Sequence, residues 1–442
     1  MEFDTGELAR SLLRRNLGEP LPHQVRLVSG NASEHRLVHA LLRAAGQAPT
    51  YESFLGWLDD PTYEPSDRLL VKRDGQIIAH AQVLDRLAWF QGVKLPVGGV
   101  EQLATLPEFV DAPYERLLVT ASEQSLHDRR AVVAFTHTDR PEVFRTCGWG
   151  EAVGQSVTEA NVNDVLGALA TPVESDPFAP RDKPLRIRHW RHVELEPLQN
   201  VYRQAVAATW GALDRSEAYW RWLVGRTAHD ALIVAIDGPD NWDELTVLPH
   251  IVGYAVTRGA QIVELATLPD FARAAALLLA RACQNAIEHD HRNISLHLPA
   301  TDPLHEVLLA ANGRRLALRT GTNTLMLKLL DPARWIESIY DVLVERAKAA
   351  GITRPFQVVF GLGRRKVRLD LTRRSGHLTC EHAAPVEVAC DADTFGALLL
   401  GNLDVVAACE AGLVEVANDE LAARLAALFP VSDYWQSPLD AP

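Results

Sequence analysis

Leu103-Ala104-Thr105-Leu106-Pro107-Glu108-Phe109-Val110 is written again, with six of eight positions unchanged, as Leu265-Ala266-Thr267-Leu268-Pro269-Asp270-Phe271-Ala272. Each copy closes an apolar strand-like run, Val97 to Leu106 and Ile251 to Leu268, and each leads into an Ala/Leu-rich helical stretch. A second short strand and a Thr-Asp turn follow in both. Thr138 lies 35 residues after Leu103, and Thr301 lies 36 after Leu265. Two separated signals held in nearly one register mark a duplicated domain.

Working outward, residues 1–23 carry a short amphipathic helix, Glu7 to Leu17, expected as an arm on a neighbour. The first domain, 24–170, opens with a strand from Val25 and helices at Ser33–Ala45 and Tyr51–Leu58. A hairpin turns at Arg73-Asp74-Gly75, where Asp-Gly supplies the positive dihedral of a tight turn. Strands Gln76–Leu84 and Val97–Leu106, a helix at 113–127, a strand Ala131–Thr136, a helix Pro141–Cys147 and a closing strand from Trp149 complete it. Residues 171–184 hold four prolines without periodicity, the composition of a linker. The second domain, 185–330, repeats the order, including a Trp-Leu pair at 57–58 and 222–223. The first copy carries about a dozen extra residues before the repeated phrase. Residues 331–442 read as a small α+β domain: a helix Trp335–Ala349, a four-strand meander, and helices ending at Phe429-Pro430. The class is therefore α/β (α+β), two tandem mixed-sheet domains plus a small third one.

A chain of 442 residues with a net charge of −13 is large enough for several cores and is a poor nucleic-acid binder, whose affinity comes from neutralising phosphates. Five scattered cysteines (147, 283, 380, 390, 409) give neither a disulfide framework nor a zinc spacing, so no metal is expected. The acidic N-terminus is not a secretory signal and no run is long enough for a membrane span, so a cytoplasmic protein is expected.

A strand that turns tightly into a helix presents free N–H groups and a positive dipole end, a seat for phosphates. The order "strand, Pro-Glu-Phe turn, helix, strand, aromatic-x-x-x-Gly-aromatic" resembles the GNAT acetyltransferase fold, in which the repeated phrase is the fourth strand and coenzyme A pyrophosphate loop. Two such domains before a small one resembling sterol carrier protein type 2 is the layout of the Eis-like (enhanced intracellular survival) acetyltransferases. The C-terminal Phe395-Gly396-Ala397-Leu398-Leu399-Leu400-Gly401 is similar to that third domain. The resemblance covers about residues 24–430. It implies acetyl transfer from acetyl-CoA to a small-molecule amine, with Leu103, Ala104 and Thr105 offering backbone groups to the pantetheine arm. Similar proteins assemble as rings or dimers of trimers, so a homo-oligomer is expected.

The sequence departs from the family pattern where chemistry is concentrated. The glycine-rich loop Q/R-x-x-G-x-G/A would begin at Val110, with Pro113 and Glu115 at its glycines, and at Ala272, Ala275 and Leu277 in the second copy. Asp111 reads as a helix N-cap, and Pro113 and Glu115 as first-turn residues. Phe144 stands where the family has the tyrosine that protonates the departing thiolate. Glu101, expected on the face of Leu103 and Thr105, is a candidate base or a partly exposed strand residue. His137, at the end of the fifth strand, is a candidate proton shuttle or a loop hydrogen-bonder. Pro442 is a candidate through its terminal carboxylate, a role the resemblance implies, although a free tail is the plainer reading. The tryptophans at 57, 220 and 222 line a cleft or fill the core. Cys147 is read as buried and inert, and the basic run from Arg364 to Arg374 as a solvated hairpin face around the Gly361-Leu362-Gly363 turn. Three readings stand: an acetyltransferase, a silent scaffold of the same fold, and a carrier or sensor holding a hydrophobic ligand in the C-terminal domain.

Overall fold

The structure, a computed structural model, describes residues 25–47, 49–110, 112–154, 156–170, 185–226, 229–238, 250–316 and 324–440. The expected N-terminal helix, the linker, Asp111 and Pro442 lie outside them. The first unit runs β1 (Val25–Ser29), α1 (His35–Ala44), α2 (Tyr51–Leu58), β2 (Arg68–Arg73), β3 (Gln76–Phe90), β4 (Val93–Thr105), α3 (Tyr114–Asp128), β5 (Val133–Thr138), α4 (Pro141–Arg145) and β6 (Gly150–Glu151). Next come β7 (Val157–Asn161) and α5 (Val162–Ala170). The second unit runs β8 (Arg186–His189), α6 (Leu195–Val206), β9 (Trp210–Leu213), α7 (Glu217–Gly225), β10 (Ala231–Asp237), β11 (His250–Arg258), β12 (Gln261–Thr267) and α8 (Arg273–Glu288). It closes with β13 (Asn293–Leu296), α9 (Leu304–Ala310), β14 (Arg314–Leu316) and β15 (Thr324–Leu329).

The repeated phrase takes one conformation twice. Leu106 (φ −57°, ψ 141°) and Leu268 (φ −64°, ψ 145°) end their strands, and a 3-10 turn, Pro107–Phe109 or Pro269–Phe271, follows. Leu106 N–H donates to Ile78 O at 2.9 Å and Leu268 N–H to Val252 O at 2.8 Å, the same rung on the neighbouring strand. The helices then differ. The second copy enters α8 at once, whereas Pro113 disfavours helical geometry in the residue before it and delays α3 to Tyr114.

Each sheet is completed by the other unit. The first has the path β1-β2-β3-β4-β5-β15-β6, with β9 also on β3; the second runs β14-β7-β13-β12-β11-β10-β8. The closing strand expected from Trp149 is only two residues long. Its place beside β5 belongs to β15, paired from Thr324↔Thr138 to Leu329↔Val133. The continuous run expected from Ile251 to Leu268 is a hairpin broken at Gly259, whose φ of +57° makes the turn. The dozen extra residues of the first copy lengthen the β3–β4 hairpin into an arm that turns at Gln91-Gly92 and grips the second unit. Gln91 and Gly92 donate to Thr209 O and Ala207 O, at 3.2 and 2.7 Å.

The third unit begins with α10 (Pro332–Ser338) and α11 (Tyr340–Ala349), two helices broken at Ile339 where one was expected. Its strands are β16 (Phe356–Leu362), β17 (Arg365–Leu371), β18 (Gly376–Glu381), β19 (Val388–Cys390) and β20 (Glu415–Val416), with helices α12 (Ala392–Leu400), α13 (Val405–Glu410) and α14 (Asp419–Leu428). The meander holds for β16 to β18, after which β19 joins β16 in parallel. Asp391, Asp404 and Asn418 cap the three helices with side-chain oxygens.

One aromatic cluster ties the units together. Phe90 on the arm meets Trp210 of β9 (5.2 Å) and Trp335 of α10 (4.9 Å), and Trp210 meets Tyr434 of the tail (4.9 Å). The tail beyond Pro430 is therefore not free: Tyr434, Trp435, Ser437, Leu439 and Asp440 are buried. Among the described residues no helix is long and apolar enough to cross a membrane.

Candidate functional site

The site begins as a fault in β4. His80 lies opposite Ala104 but Gln82 lies opposite Glu101, so β4 carries one residue more than β3 over this stretch. Gln102 takes up the difference with φ +53°, a left-handed conformation that a glutamine adopts only when its neighbours hold it. They do. His80 Nδ1 donates to Gln102 O (2.9 Å), which leaves Nε2 to accept from Arg68 Nη1 (3.0 Å), and Arg68 Nη1 also donates to Gln102 Oε1 (3.0 Å). Burial, followed by the Arg68 charge, holds His80 well below the usual histidine range, so this clamp carries a neutral imidazole. Arg68 is 1% exposed, lies over the Phe54 and Tyr63 rings, and makes no ion pair among the described residues.

The bulge is followed by a fork. β4 and β5 pair in parallel only where Val97–Gly99 meets Val133–Phe135. Beyond that the strands part around a cleft of about 290 Å³, whose walls include Glu101, Gln102, Leu103, His137, Trp57 and Phe144. Three of the sequence candidates thus meet here. Glu101 is 4% exposed, not a partly exposed strand residue, and the bulge removes it from the alternation expected with Leu103 and Thr105. Its Oε1 accepts from His137 N–H at 3.0 Å and stands 3.4 Å from His137 Nδ1. Phe144 is fully buried, edge-on to Trp149 at 5.1 Å, and presents a ring without a hydroxyl. Strand alternation from the Leu106 rung turns the backbone groups of Ala104 toward β3 and those of Leu103 and Thr105 toward the opening. The Leu103 carbonyl already accepts from Gln47 Nε2 at 2.7 Å.

Residues that the sequence did not single out are Gln47, Arg68, His80 and Gln102. One signal existed: His80 and Gln82 are polar residues on alternate positions of the otherwise apolar run Ile77–Leu84, and both are buried. Trp57 is half-buried at the cleft, Trp220 is core, and Trp222 donates to Gly56 O at 2.7 Å between the units. Cys147 is half-buried, and burial pushes its thiol up, consistent with an inert residue.

The N-terminus of α3 fits a diphosphate poorly. Pro113 offers no N–H, and the Glu115 carboxylate, 4% exposed, sits in the first turn, where the helix dipole favours it. Glu115 is ion-paired with Arg140, which lies between β5 and α4.

The second unit's fork is filled. β12 and β13 pair only at Gln261–Ile262 and Ser295–Leu296, with a last rung from His297 N–H to Ile262 O (3.0 Å). There the tail enters: Trp435 Nε1 donates to His297 O (3.4 Å) and Ser437 Oγ to Val263 O (3.5 Å). Asp440 anchors the far end. Arg215 donates through Nε and Nη2 to Asp440 (2.9 and 2.8 Å) and through Nη1 and Nη2 to Glu264 (2.9 and 2.6 Å), all fully buried.

Comparison with known proteins agrees with this fold. The family model described as "Acetyltransferase (GNAT) domain" matches residues 26–152, from β1 through β6. No curated protein matches the sequence. A GCN5-related N-acetyltransferase from Anabaena variabilis shares the fold over 93% of this chain and 99% of its own, with a TM-score of 0.71 and 12% identity. One from Kribbella flavida does so over 94% and 98%, with a TM-score of 0.68 and 16% identity. Eis1 from Mycobacterium abscessus covers 93% and 99%, with a TM-score of 0.65 and 16% identity. At such identities the likeness is one of fold, and it spans all three units. The chain thus has the GNAT fold, and its first unit is the part that matches the acetyltransferase (GNAT) domain model.

Proposed function

We propose that the first unit transfers an acyl group from a thioester donor, of which a coenzyme A thioester is the kind the fold implies, to an amine in the cleft between β4 and β5. The observation that carries this reading is the convergence of Glu101 and His137 at the fork, in the one of two duplicated clefts that the tail leaves open. The amine nitrogen attacks the thioester carbonyl carbon, a C–N bond forms, and the C–S bond breaks to release a thiolate. Glu101 Oε1 is occupied by His137 N–H, so Oε2 is the oxygen positioned to take the proton that the amine sheds. The Leu103 N–H, turned to the opening, can polarise the carbonyl oxygen. Phe144 has no proton to give, so the thiolate is protonated by water, at a cost of about 10²-fold or more against an enzyme with a positioned acid.

The test is thiol release from acetyl-CoA and from acetyl-pantetheine in the presence of small amines, with Glu101→Gln as control. Release from either donor that depends on Glu101 supports the reading; release from neither overturns it. A second reading, a catalytically silent scaffold, is favoured by Phe144 and by the Glu115–Arg140 pair, and it predicts release from neither. A hydrophobic-ligand carrier has less support: Phe360 and Phe395 pack ring to ring at 4.9 Å inside the third unit, and the surface cleft there is edged by Glu387, Glu420 and Arg424.

A further inference from the structure

We infer that the Glu115–Arg140 ion pair is a specificity latch across the donor mouth of the first cleft, selecting thioesters of a short pantetheine-type thiol over those carrying a nucleotide diphosphate. The inference rests on the acyltransferase reading and names the donor class for the same cleft. Four observations carry it. Glu115 lies in the first turn of α3, on the β4 side of the fork, and is 4% exposed although it is a carboxylate. Arg140 lies on the other side, just past β5, its backbone N–H tied to Thr138 Oγ1 at 3.0 Å. Their ion pair therefore spans the two edges that a donor's phosphate end would have to pass between. The cleft is lined by Thr138 and Asp139, the two residues just before Arg140, while neither Glu115 nor Arg140 lines it.

The chemistry of exclusion is direct. A helix N-terminus attracts a diphosphate through free N–H groups and a dipole. Here Pro113 removes one donor, and a carboxylate already uses the dipole. An incoming diphosphate must either face that negative charge or take Arg140 from it. A donor that ends near the pantetheine moiety meets neither demand. Arg140 is only partly exposed and is already oriented at this mouth, so neutralising Glu115 converts a closed pair into a free guanidinium for phosphate.

The experiment is calorimetric titration of the full chain with acetyl-CoA and with acetyl-pantetheine, for the wild type, Glu115→Gln and Arg140→Gln. Circular dichroism confirms that each variant is folded. The readout is the ratio of the two dissociation constants. The wild type should bind acetyl-pantetheine at least as tightly as acetyl-CoA. Glu115→Gln should shift the ratio toward acetyl-CoA by about tenfold or more, and Arg140→Gln should shift it the other way, because an unpaired carboxylate then faces the diphosphate. A merely structural pair would move both variants in one direction, and that result overturns the inference. So does a wild type that prefers acetyl-CoA by about tenfold or more, a result that leaves the acyltransferase reading standing. Binding of neither donor to any of the three proteins removes both.

Discussion

Replacing Arg215 with methionine tests whether the tail is held in the second fork by charge or merely by packing. The substitution keeps most of the side-chain volume against Tyr202 and Trp220, whose rings lie 4.2 and 4.7 Å from the guanidinium carbon. It leaves Glu264 and Asp440, both fully buried, without the guanidinium that pairs with them. Removing one partner of a buried ion pair costs about 3–5 kcal/mol, because the remaining charge has lost both water and its counterion. Glu264 keeps the Tyr254 hydroxyl at 2.5 Å, whereas Asp440 loses both of its Arg215 hydrogen bonds and keeps only the weaker influence of the Arg226 charge, so the cost falls mainly on the tail. Hydrogen exchange of the peptide from Val431 to Asp440 reads this as local opening. At pH about 7 its exchange should quicken about 10²- to 10⁴-fold relative to the wild type, since each 1.4 kcal/mol is tenfold. The sign with pH follows from burial. Without Arg215, burial raises both folded-state carboxyl values above their unfolded values of about 4, so the docked state binds protons that the open state does not. The penalty is then full near neutrality and shrinks as pH falls below the raised values, by up to about 1.4 kcal/mol per pH unit per carboxyl. Exchange quickened by less than about tenfold at pH 7, or a difference from the wild type that does not shrink on acidification, refutes the argument.

Three further outcomes follow from the same geometry. Glu101→Gln keeps an oxygen for His137 N–H but loses the base, so thiol release should fall by about 10²- to 10⁴-fold in kcat with little change in KM. His80→Gln bears on acid stability: below pH about 6.5 the unfolded chain protonates a histidine that the folded chain keeps neutral, so each pH unit costs the wild type up to about 1.4 kcal/mol. The variant should be less stable at pH about 7.5, by about 1–3 kcal/mol for the lost hydrogen bonds, yet its midpoint should fall less steeply with acid in thermal unfolding across the same window. Gly154→Ala places a Cβ 2.4 Å from Asp433 Cβ at a φ of +97°, so the tail must shift; proteolysis near Tyr434 should quicken while the first cleft still functions.

The repeated phrase was legible because its structure is local. A leucine before proline is confined to extended geometry, the proline starts a 3-10 turn, and the same rung to the neighbouring strand follows in both copies. Glu101 was singled out from the family resemblance and His137 from its place at the end of the fifth strand, and the parting of β4 and β5 brings the two together. The exchange of β7 and β15 was not legible, because nothing in a short strand such as Val157–Asn161 names the sheet it will join. The bulge at Gln102 depends on Arg68 and His80, whose approach is set by β2 and β3 pairing and not by the local run of residues. The tail was hidden most completely. Arg215, Glu264 and Asp440 are isolated charges in the sequence, and only the tertiary fold brings them together.

The two forks differ at the position just before the repeated leucine, Gln102 in one and Glu264 in the other, and there each accepts hydrogen bonds from a buried guanidinium. Arg215 meets two carboxylates, a closed arrangement with no cationic capacity left for a ligand. Arg68 meets only the neutral Gln102, His80 and Tyr63, so its positive charge persists beneath the open cleft, and its Nη2 makes no hydrogen bond among the described residues. A buried charge without a carboxylate in direct contact is costly to keep. It favours negative charge above it, and attack on a thioester creates such charge on the carbonyl oxygen at the fork. The amide at Gln102 and the carboxylate at Glu264 thus accompany two different arrangements: an open fork over Arg68, and a fork filled by the tail that Arg215 holds.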